Sequence, residues 1–182
     1  TFLVSQLARQ HVTVSLSGDA GDELFCGYNR YQMTARLWGK VSHLPRPLRR
    51  LVAEMIKVVS TSGWDKLGAL ISLPLLGNRM HKGAALLDSR NVADLYQGMV
   101  SHWHSPGQMV LGSTESTVLT DATSELLRLS DVERMMALDM LNYLPDDILT
   151  KVDRAAMGVS LETRVPMLDH RVVEFAWSLP LD

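Results

Sequence analysis

Residues 12–28 read Val-Thr-Val-Ser-Leu-Ser-Gly-Asp-Ala-Gly-Asp-Glu-Leu-Phe-Cys-Gly-Tyr, and this stretch decides the predicted fold. Apolar and polar residues alternate over 12–17, which predicts a β-strand. A turn of small residues follows at 18–21, and a helical pattern runs from about 22 to 40. The segment 2–10 before the strand carries a helical stripe of apolar residues. The chain therefore begins as one α/β unit over residues 1–40, in the order helix, strand, glycine-rich loop, helix.

Beyond residue 40 the pattern is mainly helical, and strand signals almost disappear through residue 182. A lone strand leaves backbone hydrogen-bonding groups unpaired on both edges, so we expect sequence upstream of Thr1 to supply the rest of a sheet. On this basis the chain is predicted to be a fragment of a longer domain. The predicted helices lie at about 48–60, 84–104 (in pieces), 115–128, 131–143 and 170–178, with breaks at 60–63 and 77–78. A further helical stretch is predicted to begin at Leu144-Pro145 and to end at Pro166.

The composition is that of a globular protein, with 46% hydrophobic and 21% charged residues and a net charge of −2. A near-neutral chain has no overall field for nucleic acid or an anionic membrane, and no apolar run approaches the ~18 residues of a membrane span. The basic residues between Arg30 and Lys57 lack interleaved aromatic residues, so we interpret them as a solvated or domain-contact face. The single Cys26 cannot form an internal disulfide, which favours a reducing compartment such as the cytoplasm.

The loop after the strand carries the most chemical information. Gly18 and Gly21 allow a ligand to approach the backbone, and a helix N-terminus offers free N–H groups to an anion. The loop holds carboxylates rather than a lysine, so a bound phosphate would need a cation. Asp19 and Asp22 are three residues apart and would share a face if a helix started there, so they could serve one Mg²⁺. Alternatively, both simply cap a helix.

Three motifs carry a resemblance to a known family. Ser-Gly-Asp-Ala-Gly-Asp-Glu-Leu-Phe-Cys-Gly-Tyr at 17–28 resembles the SG(D/E)xxDE(L/V)FGGY signature of the asparagine synthase family. Leu-Pro-Asp-Asp-Ile-Leu-Thr-Lys-Val-Asp-Arg at 144–154 resembles that family's LPDDLLTKVDR segment. Ser-Leu-Glu-Thr-Arg-Val-Pro-Met-Leu-Asp-His at 160–170 resembles its SLExRVPxLDHR segment. The resemblance spans residues 1–182, with a divergent middle at about 60–125.

The resemblance implies a fold, a reaction and site residues. The fold would be part of an adenine-nucleotide α-hydrolase-like synthetase domain. In such enzymes ATP activates the aspartate side chain as an acyl-adenylate, and ammonia derived from glutamine forms asparagine. Ser17 and Gly18 would contact ATP, and Asp22 would bind Mg²⁺. Asp19 stands at the position of the catalytic acid, often Glu, and its shorter side chain favours a positioning role over direct proton transfer.

Other family features lie outside this sequence. The SGGxDS pyrophosphate loop, the catalytic lysine and the upstream glutaminase domain are expected in the longer protein, so we expect the fragment alone to be inactive. Cys26 occupies a usual glycine position, a change expected to matter little within an established helix. The alternatives are an amidotransferase for another carboxylate and a non-catalytic helical scaffold. The oligomeric state is open, and a homodimer is one option.

Several polar residues outside the loop have both a functional and a structural interpretation. Gly21, Lys151 and Arg154 could reach phosphate or the substrate, while Lys151 could equally pair with Asp147 along its helix. We predict a buried ion pair between Glu162 and Arg164 that fixes a turn, and a helix cap at Asp169. The pair His102 and His104 offers too few ligands for a metal site.

Overall fold

The computed structural model describes residues 1–101, 112 and 126–181. In chain order its elements are α1 (Phe2–Arg9), β1 (Val14–Leu16), α2 (Gly21–Leu24), α3 (Asn29–Val41), α4 (Arg46–Val58), α5 (Thr61–Leu70), α6 (Leu76–Leu86), α7 (Val92–Val100), a 3₁₀ turn (Leu126–Arg128), α8 (Asp131–Leu138), a π-helix (Asp139–Leu149), α9 (Thr150–Met157), β2 (Glu162–Arg164), a second 3₁₀ turn (Pro166–Leu168) and α10 (His170–Trp177). The structure is thus mostly helical, as predicted. Among the described residues, no helix combines the length and hydrophobicity that a bilayer crossing requires.

The chain forms two compact units, one from residues 1–31 and 116–182 and the other from residues 32–115. The predicted division into a nucleotide-binding unit over 1–40 and a mainly helical portion over 41–182 has other boundaries and assigns a role to the first part. It stays a prediction. The predicted helix at 115–128 falls largely outside the described residues. Of this range the structure describes residues 126–128, which form the 3₁₀ turn. His102 and His104 also lie outside them.

The first unit contains a two-stranded parallel sheet. β1 confirms the predicted strand in a shorter form, and its partner is β2, with Val14 opposite Glu162 and Leu16 opposite Arg164. We predicted a turn at β2, so its place in the sheet corrects that interpretation. The predicted ion pair of Glu162 and Arg164 exists at 2.8 Å, but the side chains are 54% and 67% exposed. They share one face of a strand, and that face is open to solvent, so the prediction of a buried pair was wrong.

A small hydrophobic core lies directly under the glycine-rich loop. Ala20 and Leu24 pack there against Leu144 of the π-helix and Ala176 of α10. Asp169 caps α10 by accepting a hydrogen bond from the Arg171 backbone N–H at 2.9 Å, which confirms the predicted cap. The core therefore ties the loop to the segments 144–149, 165–168 and α10 through apolar packing.

Pro145 does not begin a helix, because it lies inside the π-helix. A proline lacks an N–H and crowds the preceding turn, and side-chain hydrogen bonds to backbone carbonyls supplement the helix on either side of it. The Asn142 amide donates to the Leu138 carbonyl at 3.1 Å, and the Thr150 hydroxyl donates to the Pro145 carbonyl at 2.9 Å. The predicted boundary at Leu144-Pro145 was therefore wrong.

The helix predicted over 22–40 is interrupted. α2 ends at Leu24, and α3 begins only at Asn29. The Gly27 N–H donates to the Asp22 carbonyl at 2.9 Å, and Cys26 adopts a left-handed φ of 56°. This bond and conformation are those of a Schellman motif, in which glycine usually takes the left-handed position. Residue 26 therefore lies beyond the end of α2, so the condition of an established helix, on which a cysteine at 26 was expected to matter little, is not met.

The second unit is a helical layer in which α6 packs on α4, α5 and α7. Ser60 caps α5 by accepting from the Gly63 N–H at 3.2 Å, which confirms the break predicted there. The break predicted at 77–78 was wrong, because Gly77 lies within α6. A Cβ at Gly77 would lie 2.2 Å from the Thr61 carbonyl oxygen, so this glycine permits the close approach of α5.

The basic residues at 45–50 make ion pairs and hydrogen bonds within this second unit. Arg46 and Arg50 bind the Asp88 carboxylate at 2.8 and 2.6 Å. Arg49 is buried and donates to the carbonyl oxygens of Leu87 and Ser89 at 3.1 and 2.9 Å. Three arginines of α4 therefore hold the chain between α6 and α7, which agrees with a contact within the domain.

Candidate nucleotide-binding loop

The glycine-rich loop leaves the sheet at the end of β1. The Ser17 N–H donates to the Arg164 carbonyl at 2.8 Å, which extends the pairing with β2 by one residue. Ala20 is buried and has a left-handed φ of 70°, a conformation that costs roughly 1 kcal/mol outside glycine. The burial of Ala20 in the core below holds this strained turn. At Gly18 and Gly21 an added Cβ would meet nothing within 4 Å, so open space lies over the backbone there.

Asp19 is fixed by the residue that ends the strand. The Ser17 hydroxyl donates to Asp19 Oδ2 at 2.5 Å, and it accepts a longer contact from the Asp19 N–H at 3.4 Å. The serine hydroxyl is therefore engaged within the loop itself, where it orients a carboxylate. Its predicted contact with a nucleotide stays a prediction.

Asp22 lies in the first turn of α2, with its side chain exposed to solvent. Its carboxylate makes no hydrogen bond or ion pair with the described residues. α2 begins at Gly21, so Asp19 is outside the helix, and the condition under which the two aspartates would share a helical face is not met. Neither caps α2, because the N-cap position belongs to Ala20 and no side chain bonds there. The capping alternative for this pair was therefore wrong.

The described ranges contain no group of three or more histidine, cysteine, aspartate or glutamate side chains placed to hold a metal ion. A magnesium ion bound to a nucleotide does not need such a cage. It usually keeps several waters and takes one or two carboxylates together with phosphate oxygens. A single exposed and unengaged carboxylate beside an open glycine backbone, as at Asp22, fits that mode of binding.

The loop and α9 make no hydrogen bond or ion pair with each other in the described structure. Lys151 pairs with Asp147 four residues earlier, and this hydrogen bond raises the pKa of the Lys151 ammonium. This is the helix pairing that we weighed as the alternative to ligand binding. Arg154 is exposed on the same helix. Their roles toward a ligand stay predictions.

Sequence reasoning missed a cluster that follows α2. The Arg30 guanidinium lies over the rings of Tyr28 and Tyr143, at 4.0 and 4.6 Å from the centroids. It also binds Asp139, the first residue of the π-helix, at 2.6 Å, and the Tyr31 hydroxyl donates to the same carboxylate at 2.6 Å. We call these five residues the Arg30 cage. It attaches the end of the loop region to the start of the π-helix.

A buried carboxylate links the cage to α2. Glu23 is 1% exposed, and it accepts a hydrogen bond from the Tyr28 hydroxyl at 2.9 Å. Burial, followed by this hydrogen bond, raises the pKa of Tyr28. The Tyr-Asn-Arg-Tyr run at 28–31 was visible in the sequence, but Asp139, the acidic partner of Arg30, lies 109 residues further along the chain.

Cys26 is half-buried beside this region, and burial raises the pKa of its thiol. A raised pKa leaves little thiolate at neutral pH, and the thiolate is the nucleophilic form. The feature that the structure shows for Cys26 is its place in the backbone turn after α2.

Comparisons with known proteins agree with the motifs. The sequence model of the asparagine synthase family matches residues 1–182. A Mycobacterium tuberculosis protein, provisionally named as a glutamine-hydrolysing asparagine synthetase, is 32% identical over 98% of this chain and 26% of its own length. Bacillus subtilis asparagine synthetase (glutamine-hydrolysing) 1 is 28% identical over 98% of this chain and 27% of its own length. The chain thus spans about a quarter of these relatives. No solved structure shows significant similarity to it.

Proposed function

Because the chain belongs to the asparagine synthase family, we propose that it forms one wall of a synthetase site that makes asparagine from aspartate, ATP and ammonia. A side-chain carboxylate oxygen of aspartate bonds to the α-phosphorus of ATP, and pyrophosphate leaves. Ammonia then attacks the acyl carbon of this adenylate and loses a proton, and AMP leaves. In the longer protein an upstream glutaminase domain supplies the ammonia. The domain has the adenine-nucleotide α-hydrolase-like fold.

The observation that carries this proposal is the loop at the end of β1. Parallel strands in open α/β sheets end at the edge where ligands bind, and β1 and β2 are parallel. The backbone at Gly18 and Gly21 is open to a ligand, and two carboxylates stand at its sides. Carboxylates beside a bound triphosphate are productive only with a cation between them. The loop therefore suits a nucleotide bound together with Mg²⁺.

Asp19 and Asp22 have different roles at this loop. Asp22 is the residue that would hold Mg²⁺, because its carboxylate is exposed and is not engaged by the described residues. Bound Mg²⁺ would offset the negative charge that develops on the phosphates during adenylation. Asp19 is already held by Ser17, so it presents a fixed carboxylate that orients the reactants. Ser17 and Gly18 line the nucleotide, with Gly21, Lys151 and Arg154 as further contacts.

The proposal is tested by separating the two half-reactions of the full-length protein. Asp19→Ala should slow pyrophosphate release by about 10²–10³-fold, the usual effect of removing one preorganised polar group. Glutamine hydrolysis should stay within about twofold, because it takes place in another domain. Asp19→Glu should retain amide synthesis, since the family accepts either acid. Asparagine synthesis at the wild-type rate by the alanine variant would show that the loop is only structural.

A further inference from the structure

The carboxylate of Asp22 lies directly against Gly27. A Cβ built on Gly27 would be 2.1 Å from Asp22 Oδ1 and 2.9 Å from its Cγ, both far inside contact distance, and 3.0 Å from the Asp22 Cα, a tight contact. The two backbones are also joined, because the Gly27 N–H donates to the Asp22 carbonyl at 2.9 Å. The Schellman turn after α2 therefore folds back and places residue 27 under the side chain of residue 22.

Gly27 is not required by its backbone conformation. Within the described structure the glycine with a left-handed φ is Gly112, and the left-handed residue of this turn is Cys26. The φ of Gly27 is therefore not one that requires glycine. What glycine provides at position 27 is space for a neighbouring carboxylate.

We propose that Gly27 is a positioning residue for the metal-binding carboxylate of Asp22, an inference that rests on the proposed function. Any side chain at position 27 must displace the Asp22 carboxylate, because the hydrogen bond between the two backbones prevents their separation. Rotation of the aspartate side chain is the least costly response, since Oδ1 is the atom in closest conflict. The aspartate would then present its oxygens in a different direction, although the chain still folds.

The inference predicts a loss of metal affinity without a loss of stability. Gly27→Ala should weaken Mn²⁺ binding by 10–100-fold, the range seen when a residue that orients a metal ligand is changed. Mn²⁺ affinity is measured by electron paramagnetic resonance on the full-length protein with α,β-methylene-ATP, so the measurement does not depend on turnover. The thermal midpoint should stay close to that of the wild type, because the smaller freedom of the unfolded chain offsets the tight contact with the Asp22 Cα that remains after the side chain rotates. Gly39→Ala is the matched control, because a Cβ there meets nothing within 4 Å.

The comparison with Asp22→Asn separates this inference from the proposed function. If Asp22→Asn weakens Mn²⁺ binding and Gly27→Ala does not, Gly27 has no positioning role and the proposed function stands. If Asp22→Asn leaves Mn²⁺ binding unchanged, Asp22 is not a ligand, and both the metal assignment and this inference are overturned.

If Gly27→Ala does not fold, the double variant Gly27→Ala with Asp22→Ala tests the inference. The second substitution removes the carboxylate that the new methyl group meets. Recovery of the wild-type thermal midpoint by the double variant would show that the conflict is with the carboxylate, as we propose. A double variant that stays unfolded would place the conflict in the backbone and overturn the inference.

Discussion

At the scale of single residues, Asp22 combines an exposed carboxylate with a place in the first turn of α2. Asp22→Asn should shift the Mg²⁺ dependence of pyrophosphate release to higher concentrations and slow the reaction. The free energy of unfolding should change by no more than about 0.5 kcal/mol, as for surface substitutions in general. Titration of full-length protein with Mg²⁺, followed by pyrophosphate release, measures the effect.

Asp131→Asn is the control for this titration. Asp131 is also exposed and lies in the first turn of a helix, α8, which contacts α2, but it lies outside the three motifs that carry the family resemblance. Its substitution should leave the Mg²⁺ dependence unchanged. Equal titration curves for wild type and Asp22→Asn would count against Asp22 as the ligand.

Cys26 offers a stabilising substitution, because it holds the left-handed position of the Schellman turn with φ 56°. A left-handed residue other than glycine costs roughly 1–2 kcal/mol. Glycine removes that cost but gains about 0.5–1 kcal/mol of freedom in the unfolded chain. Cys26→Gly should therefore raise the free energy of unfolding by about 0.5–1 kcal/mol, measured by urea denaturation of the full-length protein. Cys26→Ala keeps the Cβ and should give no such gain.

At the scale of elements, the Arg30 cage joins the start of α3 to the start of the π-helix. Asp139 is 3% exposed, so Asp139→Asn would remove the carboxylate that binds the partly buried Arg30 at 2.6 Å. Breaking such a pair typically costs about 3–5 kcal/mol. Tyr31→Phe removes one hydrogen bond to the same carboxylate and should cost about 1.5–3 kcal/mol. Urea denaturation should rank the two variants in this order, and a smaller loss for Asp139→Asn would contradict the ion pair as the main contact.

The arginines of α4 predict a pH dependence within the second unit. The hydrogen bond from Arg50 is the main cause that lowers the pKa of Asp88 to about 2. A lowered folded-state pKa stabilises the ionised form, so this contribution is complete above the unfolded pKa near 4 and is lost as the pH falls toward 2.

Because the Asp88 side chain is 41% exposed, solvent screens the pair, and its contribution is about 0.2–1 kcal/mol. Asp88→Asn should therefore destabilise the protein by that amount at pH 6, and the difference from wild type should shrink as the pH falls from 4 toward 2. Urea denaturation at pH 6, 4 and 3 checks this. Glu54→Gln, which removes an exposed ion pair to Lys57 on the helix that carries the arginines, serves as the control. A difference that grows toward low pH would contradict the ion pair.

The sequence predicted the elements whose signals are local. Alternation over 12–17 identified β1, and Asp169 identified the start of α10, because strands and caps depend on adjacent residues. β2 was missed because Glu-Thr-Arg shows no apolar alternation and pairs with a distant strand. Gly77 and Pro145 were taken as helix boundaries, yet a close contact with Thr61 and a π-helix keep both inside helices.

The same distinction applies to the candidate site. Its loop and both aspartates were visible as a motif, because strand, glycines and acids follow one another directly. The contact of Gly27 with Asp22 was not visible, since it depends on how the chain turns after α2. The Arg30 cage was hidden for a different reason, because its acidic partner comes from another part of the chain.

At the scale of the whole molecule, the 182 residues represent about a quarter of their relatives' length. We expect the isolated chain, given ATP, Mg²⁺, aspartate and ammonium, to release no pyrophosphate above the level of its own Asp19→Ala variant. The family's SGGxDS loop is not in this sequence, and each preorganised donor missing from a charged transition state typically costs ~3–4 kcal/mol. Steady release above that control would show that these residues are sufficient for adenylation.

The pairing of β1 with β2 also has a consequence for the order of folding. Ser15 and Thr163 face each other across the sheet although 148 positions separate them. Closing so long a segment is entropically costly, and contacts of this range slow folding. During synthesis β1 leaves the ribosome long before β2 has been made. The backbone groups of β1 that pair with β2 are therefore without these partners during that time. The helices at 46–100 can form in that interval from nearby contacts, and the glycine-rich loop gains its support only after residues 162–164 have been made.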